Sequence, residues 1–523
     1  MADRKLAQAT LASSHPGRPG GYRPVIRLAS LGQMTDAQPD PKSANEVGEA
    51  TQRRRKSHLL LGSLVIVALA QGAVWAVVTP PLSGPDENGH AAYAEYLAVN
   101  LERPSRSPDT GGPSIEMSAL DRGIGAAPII GHPEGRISWP AATAVKRTLE
   151  SLPAGSNKSD SGLNSAATYP PLYYGLVAAA YKLTPGGNIA NRLLAMRAVG
   201  VLLFGLTVAL TWLLAGVVLV GLWPRVVAAG LVALQPKLGF MSGVINPDIL
   251  LITLTTGFLL AGALIICSGL TKWRSLALVA VTIAAAFTHP RGLFLVAPLV
   301  FVLWFALWQS ARQSGSSNTE RAAKLAGAVL VAAAIGVISI LVVRWGNADP
   351  ASDLREFGSY IWQFYLQSPT FLQPFGPAYG YRQVFIETYF SVFGQIDTFP
   401  AAAFVDALQA AALVGLAALY TTVVARWSVV RSSWPIVLLL GGTVLSLLAL
   451  LHLVAFRELQ GASDPIITGR YLLCAVSVYG IAAAWVCSSL PKRAGPFVAA
   501  PLLAVSAVLI FSGIGLEALR FYG

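Results

Sequence analysis

The stretch SHLLLGSLVIVALAQGAVWAVVTPPLSGP, residues 57–85, contains no Asp, Glu, Lys or Arg. At about 1.5 Å of rise per helical residue it is long enough to cross a hydrocarbon core. Arg53, Arg54, Arg55 and Lys56 stand directly before it, and such a basic flank stays on the cytoplasmic side. A long polar tail precedes the run, which predicts a retained membrane helix rather than a cleaved leader. Residues 1–56 are rich in Pro, Gly, Ser, Ala and charge without an apolar period, which predicts a disordered cytoplasmic tail.

Outward from that helix, apolar runs recur near 198–222, 226–246, 248–270, 275–289, 292–309, 325–343, 401–424, 434–455, 471–489 and 496–516. The expectation is an all-α polytopic integral membrane protein with about eleven transmembrane helices over 57–516. Composition agrees, because 54% of the 523 residues are hydrophobic and 12% are charged, about half the charged share of a soluble protein. The formal net charge of +12 would suit nucleic acid, but much of it flanks apolar runs, where Lys and Arg report topology. Nucleic acid is therefore dropped as a partner and the lipid bilayer kept. Cys267, Cys474 and Cys487 all lie in apolar stretches, which offers neither a disulfide framework nor a zinc site.

Alternate threading puts Arg225, Lys272, Arg274, Arg312, Arg321, Lys324, Arg426, Arg431, Lys492 and Arg493 in short cytoplasmic loops, with Glu320 the one carboxylate there beyond the tail. That is the basic inner side a multi-pass cell-membrane protein requires. Two long extracytoplasmic loops remain, 80–197 and 344–400, with an outer C-terminal end at 517–523. Segment 169–184 is apolar but short and carries Lys182, which predicts a helix lying along the membrane surface. Loops of this length usually carry function.

The most informative string is Pro-Leu-Ser-Gly-Pro-Asp-Glu-Asn-Gly-His, residues 81–90. Pro81 and Pro85 stiffen the chain beyond the first helix, so Asp86 or Glu87 could act there as a base on a lipid-tailed substrate. The plainer reading makes Asp86 or Asn88 a helix cap. Arg192 and Arg197 open the second membrane helix, where they either bind phosphate or anchor at the interface. Lys237 and Asp248 flank the next outer turn. Asp248 either orients a cation or holds an acceptor, or else caps a helix. Arg291 follows His289-Pro290 in a tight turn that by itself explains Pro290 and Gly292. Arg470 needs an anionic partner, either a phosphate or the carboxylate of Asp464 or Glu458. Tyr360, Trp362, Tyr365, Tyr379, Tyr381 and Tyr389 could stack on sugars or form an interface belt. Adjacent acids do not define a metal site, so no metal ligand is assigned.

Pro85-Asp86-Glu87-x-x-His90, then Tyr-Pro-Pro-Leu-Tyr-Tyr at 169–174, then Arg192-x-x-x-x-Arg197, together resemble the membrane glycosyltransferases of the GT-C superfamily. Asn246-Pro247-Asp248 and Gly469-Arg470-Tyr471 resemble more closely a bacterial branch of it labelled only as a domain of unknown function. The resemblance covers most of residues 57–490. It implies a GT-C-like fold, a polyprenyl-phosphate-linked sugar donor and a glycan or glycolipid acceptor at the outer face. Asp86 is then the base, with Glu87 as neighbour or substitute. Arg192, Arg197, Arg291 and Arg470 would bind donor phosphate, and His90, Tyr169, Lys237 and Asp248 would bind acceptor or support the site. A divalent cation is left open, because some superfamily members depend on one. One displacement with one base predicts inversion. The alternatives are a transporter or flippase of a lipid-linked saccharide, and a non-catalytic scaffold. No Gly-rich phosphate loop, Walker lysine or Ser-His-Asp pattern is present.

Overall fold

The computed structural model describes residues 41–105, 111–125, 135–137, 139–153, 155–158, 162–184, 187–313, 350–366, 381–394, 398–460 and 467–523, with isolated positions between 318 and 327. The elements of the described chain are helices, and Phe393 and Thr398 form an isolated antiparallel bridge. The helices in order are α1 Pro41–Val78, α2 Glu87–Asn100, α3 Ile115–Ile124, α4 Trp139–Glu150, α5 Leu172–Lys182, α6 Ile189–Val218 and α7 Leu222–Ala233. Then come α8 Pro236–Ser242, α9 Asp248–Ser268, α10 Lys272–Thr288, α11 Val296–Gln313 and α12 Pro350–Tyr365. The series ends with α13 Tyr381–Phe390, α14 Ala402–Ala425, α15 Trp427–Ser432, α16 Trp434–Gln460, α17 Val476–Ser489 and α18 Ala494–Tyr522. Single 3₁₀ segments, Pro290–Leu295 and Gly469–Ala475, lead into α11 and α17.

Among the described residues, eight helices are long and apolar enough to cross a membrane, fewer than the expected eleven. This is a multi-pass membrane protein. The run 226–246 is not one span. Pro236 has no N–H to continue a helix and pushes Gln235 into an extended conformation (φ −79°, ψ 113°), so α7 stops and α8 restarts with the Gln235 side chain capping Leu238 N–H. The run 275–289 is the 17-residue α10, at the short limit for a crossing. The run 325–343 lies, but for Gly327, outside the described residues. So do residues 1–40, whereas residues 41–56, expected to be unstructured, continue α1. That stretch is built largely of Ala, Glu, Gln, Lys and Arg, which favour helix.

At the centre, α6 packs on α1, α7 and α9, and α9 packs on α10. Hydroxyls join the helices where apolar contact with lipid would be equally favourable: Thr207 to Thr253 at 2.8 Å, and Ser477 to both Thr211 (2.7 Å) and Thr256 (2.8 Å). Small residues allow close approach: a Cβ on Gly200 of α6 would meet the Ser242 carbonyl, and one on Gly243 the backbone of α1. The C-terminal end of α1, the N-terminal ends of α6 and α9, the C-terminal ends of α8 and α10, and both 3₁₀ segments consequently gather at one end of the bundle. The first long loop covers that end with α2 to α5. Within it, α5 occupies the stretch expected at the membrane surface, with Tyr173, Tyr174, Val177 and Tyr181 buried.

Candidate functional site

The loop from Thr79 to Glu87 is fixed by a buried ion pair. Arg197 of α6 bonds both carboxylate oxygens of Glu87, at 2.8 and 2.7 Å, and donates to the carbonyls of Ala76, Thr79 and Pro80. All five guanidinium N–H groups are used. The Glu87 carboxylate also accepts from Gly84 N–H (3.0 Å) and Ile245 N–H (3.0 Å). Both side chains are inaccessible, at 4% and 0% exposure. This corrects two expectations: Arg197 has no donor left for a phosphate, and Glu87 has no free lone pair for base chemistry. Glu87 likewise cannot join Asp86 in holding a divalent cation. Among the described residues, no three His, Cys, Asp or Glu side chains are grouped as a metal ion would need.

The pair leaves Asp86 projecting. Its side chain is 62% exposed, and its backbone sits in the left-handed region at φ 57°, ψ 13° without a side-chain capping bond. The capping reading of Asp86 is therefore not what its carboxylate does. A non-glycine residue held at positive φ is strained, and such strain clusters at functional sites. Arg470 Nη2 donates to Asp86 Oδ2 at 3.1 Å. Among the described residues its carboxylate partner is thus Asp86 rather than Glu458, and Asp464 lies outside them. Arg470 is carried by the 3₁₀ segment at Gly469, where a Cβ would collide with the Phe385 carbonyl of α13. The second long loop in this way sets the position of the arginine.

Asp248, buried at the start of α9, organises the cations. Its Oδ1 accepts from Arg291 Nη2 at 2.8 Å, and its Oδ2 lies 4.0 Å from Arg470 Nε, beyond hydrogen-bond reach. The Asp248 N–H is capped by Asn246 Oδ1 at 2.9 Å, so the Asn-Pro-Asp string orients the carboxylate toward the arginines. Both guanidiniums attend Tyr471, with the Arg291 carbon 3.8 Å and the Arg470 carbon 5.2 Å from the ring centroid. Nη1 of Arg291 and Nη1 of Arg470 are buried without a hydrogen-bond partner. A buried donor in that state is one an anionic ligand can satisfy.

His90 and Tyr169 complete the wall. His90 Nδ1 bonds Tyr174 Oη at 2.8 Å, and the Tyr169 ring meets His90 edge-on at 5.4 Å and His289 at 4.9 Å. Burial pushes His90 down to about 4, against the pull of Asp86 and Asp248, so it is neutral at pH 7. His289 Nδ1 accepts from Arg291 N–H at 2.9 Å, which closes the turn.

Two expected residues lie elsewhere. Arg192 donates to Glu116 (3.4 Å) and to the Tyr181 hydroxyl (2.9 Å), in a cluster with Glu95 that ties α2, α3, α5 and α6 together. Lys237 is buried over the Phe240 and Phe393 rings and donates to the Val392 carbonyl, holding the second loop to the core. In that loop Tyr360 and Tyr365 are also structural, since their hydroxyls flank His452 at 3.0 and 2.8 Å. Tyr379 lies outside the described residues. Sequence reasoning missed the roles of Gly469 and Tyr471, although Gly-Arg-Tyr was the signal that carried them.

Taken together, these features define a multi-pass membrane protein with a carboxylate and two arginines converging at one end of its bundle. The chain belongs to the family described as Predicted membrane protein (DUF2142), whose model matches residues 69–478. No curated protein matches it. Among solved structures it is similar to the Archaeoglobus fulgidus oligosaccharyltransferase in the apo form, at 14% identity and a TM-score of 0.45, over 88% of this chain and 56% of that one. It is also similar to the archaeal oligosaccharyltransferase AglB of Archaeoglobus fulgidus in complex with an inhibitory peptide and a dolichol-phosphate. There the identity is 15% and the TM-score 0.45, over 88% of this chain and 55% of that one. The chain spans little more than half the length of either structure.

Proposed function

We propose that the protein is a GT-C-type membrane glycosyltransferase that moves a sugar from a polyprenyl-phosphate-linked donor to a glycan or glycolipid at the outer face of the cell membrane. The observation that carries this reading is an exposed carboxylate, Asp86, beside two arginines that each keep a buried Nη1 without a partner. In the reaction the acceptor hydroxyl oxygen forms a bond to the anomeric carbon while Asp86 takes its proton. The bond from that carbon to the phosphate oxygen breaks, and its electron pair leaves with the polyprenyl phosphate. Arg291 and Arg470 stabilise the charge that builds on that oxygen, where low-dielectric surroundings strengthen the contact. A single displacement inverts the anomeric centre. Arg470 also aims the Asp86 carboxylate, and Asp248 holds Arg291. The order of the Pro-Asp-Glu, Tyr-Pro-Pro and Gly-Arg-Tyr motifs supports the same reading.

Purified protein in nanodiscs, given a polyprenyl-phosphate sugar and a glycolipid acceptor, should produce elongated acceptor and free polyprenyl phosphate. Movement of the intact donor between leaflets of proteoliposomes without any product would assign the protein to lipid transport instead.

A further inference from the structure

We infer that the isoprenoid tail of the donor lies in an apolar groove between α5 and the last turns of α10, entering it sideways from the bilayer. This rests on the donor assignment above and adds where the lipid part is held. The groove has a volume of about 640 Å³. Pro171, Gly175 and Leu176 line one wall and Ala280, Ala284 and Phe287 the other. The second set recurs at helical spacing on one face of α10.

Both walls run straight into the charged site. Phe287 is followed by Thr288, His289, Pro290 and Arg291, and Pro171 is preceded by Tyr169 and Pro170. Tyr169 sets its ring against His289 and His90, which joins the N-terminal side of α5 to the turn after α10. A phosphate bound by Arg291 Nη1 and Arg470 Nη1 is therefore at the head end of the groove.

Gly175 adds no side chain to the wall of the groove. It lies inside α5, where glycine weakens a helix, at a negative φ that any residue can adopt. A Cβ built there would have no atom within 4 Å. A larger side chain at Gly175 would therefore extend into the groove that it lines. Ala280 and Ala284 leave matching space opposite.

An acyl chain of any lipid could rest on such a surface, since in the bilayer no hydrophobic force favours one tail over another. What selects an isoprenoid phosphate is charge at the closed end: two buried donors without partners match an anionic head, and the groove adds shape and tethering behind it. Its consequence is to fix the head group against Asp86 rather than to extract the lipid from the membrane.

The test uses the full chain in nanodiscs with two probes, a long polyprenyl phosphate and dimethylallyl phosphate, which has the same head and almost no tail. Binding is compared in the parent, Gly175→Leu, Ala284→Leu and Arg470→Ala. The two groove variants should bind the long lipid roughly tenfold more weakly, the order expected when packing and tethering alone are lost, and the short phosphate as the parent does. Arg470→Ala should weaken both. Parental binding of the long lipid by folded Gly175→Leu and Ala284→Leu, with Arg470→Ala still impaired, would overturn the groove while leaving the donor site standing. Equal weakening of both probes in the groove variants would mean that they distort the head site, and would overturn it as well. Parental binding of both probes by Arg470→Ala would instead remove the donor reading itself.

Discussion

Replacing Arg197 with Ala should unfold the protein rather than disarm it. In the native structure the guanidinium bonds both oxygens of Glu87 and three carbonyls at the end of α1. Arg197→Ala leaves a fully buried carboxylate with only the Gly84 and Ile245 N–H groups and strips a partner from each carbonyl. Breaking a buried ion pair from one side costs about 3–5 kcal/mol, and an orphaned buried carbonyl about 1–3 kcal/mol. Against a total stability on the order of 5–15 kcal/mol, the sum is enough to lose the fold. Removing both charges, as Glu87→Gln with Arg197→Met, should recover part of the loss, because no unpaired charge is then buried. The assay is the midpoint of SDS-induced unfolding in mixed micelles, read by tryptophan fluorescence for the parent, both single variants and the double. A parental midpoint in Arg197→Ala accompanied by lost phosphate binding would refute the reasoning and return Arg197 to the donor site.

Gly200→Val should lower the same midpoint by roughly 1–3 kcal/mol of overpacking, since a Cβ there meets the Ser242 carbonyl; an unchanged midpoint would show that α6 and α8 can separate freely. Burial holds His90 at about 4 against its usual 6.5, so the unfolded chain protonates first and stability falls as pH drops from about 6.5 towards 4. His90→Gln should flatten that fall in a midpoint-against-pH series. Glu95 runs the other way: burial raises it from 4.5 to about 7, against hydrogen bonds from Ser114 and Tyr181. The stability it contributes below pH 4.5 is lost as pH rises through 7, and Glu95→Gln should remove that loss; an unaltered slope in either variant contradicts the assigned cause.

The long helices were legible because charge is absent over whole spans, as in residues 57–78, and this needs no knowledge of neighbours. The break at Pro236 was hidden inside an apolar run, since composition does not distinguish one long helix from two short ones. The extension of α1 back to Pro41 was hidden by polarity, although its residues favour helix. At the site, short strings marked the right neighbourhoods: Pro-Asp-Glu, Asn-Pro-Asp and Gly-Arg-Tyr all meet at one end of the bundle. What they could not tell is which partner each charge takes. Glu87 and Arg197 are 110 residues apart, and Asp86 and Arg470 are 384 apart. Of two adjacent acids one is consumed by a structural arginine and the other is left exposed, a division decided by a left-handed residue at the start of α2 that no local spacing reveals. Arg192 and Arg197, five positions apart on α6, part in the same way because they point to different helices.

The central claim is that Asp86 takes the acceptor proton, and single-turnover sugar transfer by folded Asp86→Asn at saturating donor tests it most directly. The substitution keeps size and a hydrogen-bond acceptor for Arg470 but cannot accept a proton at neutral pH. Turnover should fall by about 10²–10⁴-fold with the unfolding midpoint within about 1 kcal/mol of the parent. Near-parental turnover in that variant would contradict the account.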